Sequence, residues 1–245
     1  MKSLLYIGII LTFFSCRDKQ QHTEKQTSTV KDTVFLLRVT YGDTLPEYRK
    51  VYFETDRNSK EYLSMGDFSL DYYDSSNYYS MYEEIKKRHP HPLEKFKTTN
   101  LPQTWVPLYM YNRNYCLYTE GKTGRIVLSD STLSFWNMEG LNPFQLTSFK
   151  PTGKYSYSIR TNTSWGRFAD IDVFIVDTNK MISVWRFNNC AEDISNKYGR
   201  YSLMVPKDSI KNYAMIVDWC SFDCHEDFFD FPYVNFESLI ETGTP

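Results

Sequence analysis

The sequence predicts a mostly β protein: a single antiparallel β-sandwich or barrel-like domain with one amphipathic helix. Three observations carry this expectation. Of the 245 residues, 17% are aromatic, including 20 Tyr and 17 Phe, and rings favour the pleated, half-buried surface of a strand. Many segments alternate apolar and polar residues with a period of two. The connections between them are short and hold Gly, Pro, Asn and Asp, which makes neighbouring strands antiparallel.

The elements follow in chain order. Residues 34–41 (VFLLRVTY) and 48–55 (YRKVYFET) alternate on either side of Gly42-Asp43-Thr44-Leu45-Pro46, predicting a hairpin. Residues 75–88 (SSNYYSMYEEIKKR) change period: Tyr78, Met81, Tyr82 and Ile85 fall at i, i+3, i+4 and i+7, the stripe of a helix. Glu83 and Lys87 form a favourable i,i+4 pair, Asp74 or Ser75 can cap the start, and His89-Pro90-His91-Pro92 ends it. Strands are predicted at 106–111, 115–119, 125–128 and 132–136, separated by Asn112-Arg113-Asn114, Glu120-Gly121-Lys122 and Ser129-Asp130-Ser131. Further strands are predicted at 155–160, 171–176, 181–187, 201–205 and 214–219. The pair 171–176 and 181–187 forms the clearest hairpin and is expected near the middle of the sheet. Its first arm is apolar on both faces toward its end, which predicts cover on both sides there. Short helical turns are predicted at 140–146, 207–212 and 236–240. No repeat of fixed period occurs, which argues against a propeller or solenoid.

The N-terminus reads differently from the rest. Lys2 is followed by an apolar run over residues 4–14, then Ser15 and Cys16. This resembles the type II signal peptide of a bacterial lipoprotein. The resemblance implies that residues 1–15 are removed and that Cys16 carries a diacylglyceryl group and an amide-linked chain such as palmitate. Two or three acyl chains hold a protein on a membrane, where one chain binds only reversibly. Residues 16–33 (CRDKQQHTEKQTSTVKDT) bury too little apolar surface to order themselves, predicting a flexible tether. The domain is then 34–245. The mixed signs of Arg17, Asp18 and Lys19 favour a periplasm-facing position on the outer membrane, since in some bacteria an acidic run there sends lipoproteins to the cell surface.

Export implies an oxidising compartment, so the later cysteines are read first as disulfide candidates. Cys116, Cys190, Cys220 and Cys224 allow three full pairings. The short Cys220-Ser221-Phe222-Asp223-Cys224 loop favours Cys220 with Cys224, with Cys190 to either of them as the competitor and Cys116 with Cys190 as a further pairing. The same place spells Cys-x3-Cys-His with His225, a set that suits zinc or copper(I). A second ligand pair is missing, so no metal and no cofactor is expected. Asp32-Thr33-Val34, Asp43-Thr44-Leu45, Asp130-Ser131-Thr132 and Asp208-Ser209-Ile210 resemble O-glycan acceptor tripeptides of some exported bacterial proteins, which implies modification at Thr33, Thr44, Ser131 and Ser209.

The formal net charge is −2 with no basic stripe, which excludes the footprint of a nucleic-acid binder. No Gly-x-Ser-x-Gly elbow, phosphate loop or EF-hand spacing occurs. Histidines are scarce: His22 in the tether, His89 and His91 between prolines, and His225. Asp170 and Asp172 share a strand face, while Glu226, Asp227 and Asp230 form an acidic segment. A ring in a turn-like loop has less reason for burial, so Trp165 and Arg167 in Asn162-Thr163-Ser164-Trp165-Gly166-Arg167 are the candidate ligand contacts. The expectation is a lipid-anchored cell-envelope domain that binds or scaffolds without catalysis, with an envelope glycan or envelope protein as partner. The alternative is an envelope- or polysaccharide-directed hydrolase.

Overall fold

Twelve strands and four α-helices are laid down by the described residues. The structure, a computed structural model, describes residues 34–40, 47–88, 93–137, 140–162, 168–220 and 229–243. The strands are β1 (Phe35–Thr40), β2 (Glu47–Glu54), β3 (Thr104–Tyr111), β4 (Asn114–Tyr118), β5 (Ile126–Leu128), β6 (Thr132–Asn137), β7 (Gly140–Gly153), β8 (Ser156–Asn162), β9 (Phe168–Asp177), β10 (Ile182–Cys190), β11 (Tyr201–Pro206) and β12 (Ala214–Cys220). The helices are α1 (Lys60–Met65), α2 (Tyr72–Arg88), α3 (Glu192–Tyr198) and α4 (Phe236–Thr242), with 3-10 turns at Thr119–Gly124 and Lys207–Asn212.

Hydrogen bonding runs in the order β1-β2-β12-β4-β3-β11-β10-β9-β8-β7-β6-β5, and β5 pairs back onto β3. That last pairing closes β3 and the meander β5 to β11 into an eight-stranded antiparallel barrel. Of the two expected architectures, the barrel is the one formed. β4, β12, β2 and β1 continue from β3 as a side sheet, in which β12 and β4 pair in parallel. They are far apart in sequence, so the short-connection argument does not reach them.

β3 belongs to both sheets, and Pro107 marks where it changes partner. On one side β3 pairs with β11 from Trp105 to Leu108. On the other it pairs with β5 at Thr104 and Trp105, then with β4 from Tyr109 to Tyr111. Pro107 falls in the gap between those two ladders, where its missing N–H breaks no bond. The gap is covered by Gly124, where an added Cβ would stand 2.7 Å from the Pro107 ring.

Period-two alternation fills the barrel. Trp105, Ile126, Leu128, Leu133, Phe135, Phe144, Leu146, Ile159, Ile171, Val173, Trp185 and Met204 all point to one interior core. α3 adds Ile194 and Tyr198 at one end, where Tyr198 stacks on Phe187 with ring centroids 4.9 Å apart. Two hydroxyls inside are satisfied: Thr161 accepts from the Ala169 N–H at 3.0 Å, and Ser183 donates to the Met204 carbonyl at 3.2 Å. The interior is therefore a packed core.

A second core lies outside the barrel wall. Val106, Leu108, Val184, Leu203 and Val205 on the outer face of β3, β10 and β11 pack with Leu117, Met215 and Val217 of the side sheet and with Tyr62 and Met65 of α1. Cover on both sides was expected toward the end of β9. Ile175 and Val176 are indeed both buried, and the neighbouring β10 is buried on both faces from Ile182 through Trp185.

The helical and turn expectations divide. α2 shows Ile85 buried and Tyr78, Met81 and Tyr82 half-buried on one face. It starts a turn earlier than expected because Asp71, not Asp74 or Ser75, accepts from the Asp74 N–H at 2.8 Å. Its ion pairs are Glu83–Lys86 and Glu84–Lys87 at i,i+3, in place of Glu83–Lys87. Residues 207–212 and 236–240 are helical as expected. Residues 140–146 are not: they open the 14-residue β7. There β7 pairs with β6 alone, and the β8 ladder begins only at Gln145, so Pro143 leaves no donor missing. The short helices α1 and α3 carry too few turns for a periodic signal. Among the described residues, no helix is long and apolar enough to cross a membrane.

Candidate functional site

The outward positions of the barrel line up across five strands. Register places Lys150 of β7 opposite Ser158 of β8, Ser158 opposite Asp172 of β9, Asp172 opposite Arg186 of β10, and Arg186 opposite Tyr201 of β11. Alternation turns these polar groups to one outer face, because their neighbours Tyr157, Val173, Trp185 and Phe187 fill the interior.

The centre of this row is tightly bonded. Arg186 Nη2 donates to Asp172 Oδ2 at 2.8 Å, and Asn188 Nδ2 donates to the same oxygen at 2.7 Å. The Arg186 guanidinium also lies 5.0 Å from the Phe174 ring centroid. Burial alone would raise the Asp172 carboxyl, but the bonds from Arg186 and Asn188 and the guanidinium charge outweigh it and hold the group below the usual carboxylate range. A general acid of a glycoside hydrolase needs the opposite shift. Its neighbour Asp170 faces Arg160, with Nε to Oδ1 at 3.7 Å, so this carboxylate pair is held by cations.

Beyond Arg186 the row opens into a surface cleft of about 240 Å³ lined by Arg200, Tyr201, Tyr233, Asn235, Phe236 and Glu237. Tyr201 and Phe236 stack almost parallel, with centroids 5.3 Å apart and planes 10° from each other. The Tyr201 hydroxyl donates to Glu237 Oε1, which holds the phenol above its ordinary value. The Arg200 guanidinium lies over the Tyr201 ring, 5.4 Å from its centroid. Asn235 caps α4 by accepting from the Ser238 N–H at 3.1 Å. Tyr233 stands beside them 92% exposed. A second pocket at the barrel end, lined by Phe135, Trp136, Asn142, Phe144, Ile194 and Tyr198 among others, has only about 90 Å³, room for about three waters.

Several expected site residues lie outside the described residues: Cys16, Thr33, Thr44, Trp165, Arg167, Cys224 and the histidines His22, His89, His91 and His225. Ser131 is 8% exposed. Its backbone N–H donates to Ser129 Oγ at 3.2 Å, and its carbonyl accepts from the Leu146 N–H. The Ser129 hydroxyl, which also accepts from the Thr132 N–H at 2.8 Å, forms this turn, and burial leaves little of the Ser131 hydroxyl for a modifying enzyme. Ser209 is half-buried on the 3-10 turn Lys207–Asn212.

Cys116 and Cys190 are free thiols, so the pairings that used either of them are not formed. Cys220, at the end of β12, is disulfide-bonded, and no disulfide joins two described cysteines. Burial pushes the Cys116 thiol up to about 12 and the Cys190 thiol up to about 11. Because the thiolate is the nucleophile, native protein treated with iodoacetamide at pH 8 is expected to leave both unmodified, whereas unfolding in urea exposes both. Mass spectrometry of the two samples checks this. Among the described residues, no three His, Cys, Asp or Glu side chains gather into a metal-holding group.

The cleft residues were not singled out from sequence, although a signal was present. Phe231-Pro232-Tyr233-Val234-Asn235 puts a ring in a proline-broken segment, the same pattern that drew attention to Trp165. What sequence does not show is that β11 lies under it. Comparison with known proteins gives no matching family model, no matching curated protein and no matching solved structure.

Proposed function

We propose that this chain is a lipid-anchored cell-envelope protein whose barrel displays a glycan-binding cleft and carries out no chemistry of its own. The observation that carries the reading is Tyr233, a ring 92% exposed beside the stacked Tyr201–Phe236 pair. Such rings offer an apolar face to the C–H side of a sugar, while Arg200, Asn235 and Glu237 around them supply polar groups for its hydroxyls. The packed barrel interior directs binding to this outer surface.

The anchor in this reading is Cys16, with residues 16–33 as tether and the outer membrane, periplasm-facing, as location. Cys220 is proposed to close on Cys224, and Ser209 is the described acceptor best placed for an O-glycan. Purified full-length protein in detergent, titrated calorimetrically with soluble envelope polysaccharide, is expected to bind. Tyr233→Ala should weaken binding about tenfold, the worth of one ring contact, with an unchanged thermal midpoint. Equal binding by wild type and variant, or none by wild type, overturns the cleft. Palmitate labelling that survives Cys16→Ala overturns the anchor.

A further inference from the structure

The donors and acceptors around the cleft are unevenly used. Glu237 already accepts from the Tyr201 hydroxyl and lies in the field of Arg186. Asp172, the next carboxylate along the row, accepts from both Arg186 and Asn188. Asn235 spends its side-chain oxygen on the Ser238 N–H and is exposed at the cleft. Arg200 is exposed and lies over the Tyr201 ring, and no carboxylate among the described residues forms an ion pair with it. An arginine carries five donors and no acceptor. The cleft therefore offers the donors of Arg200 beside an aromatic floor, while one oxygen of Glu237 is taken by Tyr201.

Resting on the glycan reading above, we infer that the ligand is an acidic sugar, with a uronate-type carboxylate held by Arg200 and Asn235 and a sugar face laid on Tyr233. A planar guanidinium matches a carboxylate with two parallel charge-assisted bonds, stronger than those it gives a neutral sugar hydroxyl.

The test compares two forms of one probe by calorimetry on the full-length protein: an oligosaccharide of galacturonic acid and the same oligosaccharide with its carboxyls reduced to alcohols. The acid form is expected to bind about tenfold more tightly at low ionic strength, with the advantage shrinking as salt is added. Arg200→Gln should abolish the difference by weakening the acid form more than the reduced form, while Tyr233→Ala weakens both forms and keeps the difference. Equal binding of the two forms by wild type, or a preference that survives Arg200→Gln, overturns the acidic-sugar inference and leaves the glycan cleft standing. Binding of neither form overturns both.

Discussion

Replacing Trp185 with alanine is expected to cost about 3–5 kcal/mol of folding stability, a third or more of what a typical domain has. Trp185 is fully buried in β10, meets Trp105 edge to face at 5.5 Å and 66°, and donates from Nε1 to Ser183 Oγ at 3.0 Å. Three losses follow from the one change. The apolar area of the ring is forfeited, and Ser183 loses a donor while still bonding the Met204 carbonyl. A void also opens in a wall that closed strand ladders keep from collapsing inward. In urea the midpoint should fall sharply with little change in slope, because the exposed surface on unfolding is nearly the same. Trp185→Phe, which keeps a ring against Trp105, should cost clearly less. A near-wild-type midpoint for Trp185→Ala would mean that the barrel interior is loosely packed.

The second large effect lies in the side sheet. Arg49 of β2 reaches diagonally to Asp218 of β12, with Nε to Oδ1 at 3.0 Å and Nη2 to Oδ2 at 2.7 Å. The side chains are only 6% and 9% exposed. Tyr118 donates its hydroxyl to Asp218 Oδ2 at 2.8 Å, and the Asp218 N–H donates to Thr119 Oγ1 at 3.0 Å. Asp218→Ala strips a buried guanidinium of its carboxylate and is expected to cost about 3–5 kcal/mol. The double change Arg49→Met with Asp218→Leu removes both charges together and should cost less than Asp218→Ala alone, since the desolvation of both ions is relieved. Chemical denaturation of Arg49→Met, Asp218→Leu and the double variant supplies the coupling energy. A double variant as unstable as the sum of the singles would show that the pair acts independently.

Most strands were legible because burial of one face writes period two directly into the chain, as at β8 and β9. β7 was misread at its start because Gly140-Leu141-Asn142-Pro143 looks like a turn, and only the one-sided ladder there makes a proline acceptable. The positive φ of Gly140, +97°, belongs to the same bend. An added Cβ would stand 2.5 Å from Asp74 of α2, a closeness set by a helix some 66 residues away in sequence. Arg125 is a similar case. Its guanidinium, 4.0 Å from Trp136 and 4.8 Å from Phe68, is desolvated enough to bring its pKa down to about 10. Nothing near it in sequence announces that burial.

The sequence alone determined what depends on local pattern: strand-rich composition, the two-residue period, the α2 stripe and most of the turns. Tertiary structure decided what depends on which strand lies beside which. A period of two says which face a residue takes but carries no information about its neighbour across the ladder. Barrel closure through β3 and β5, the partner exchange at Pro107, the Arg49–Asp218 pair and the cleft that joins Arg200 and Tyr201 to Tyr233, Asn235 and Glu237 all rest on such long-range choices.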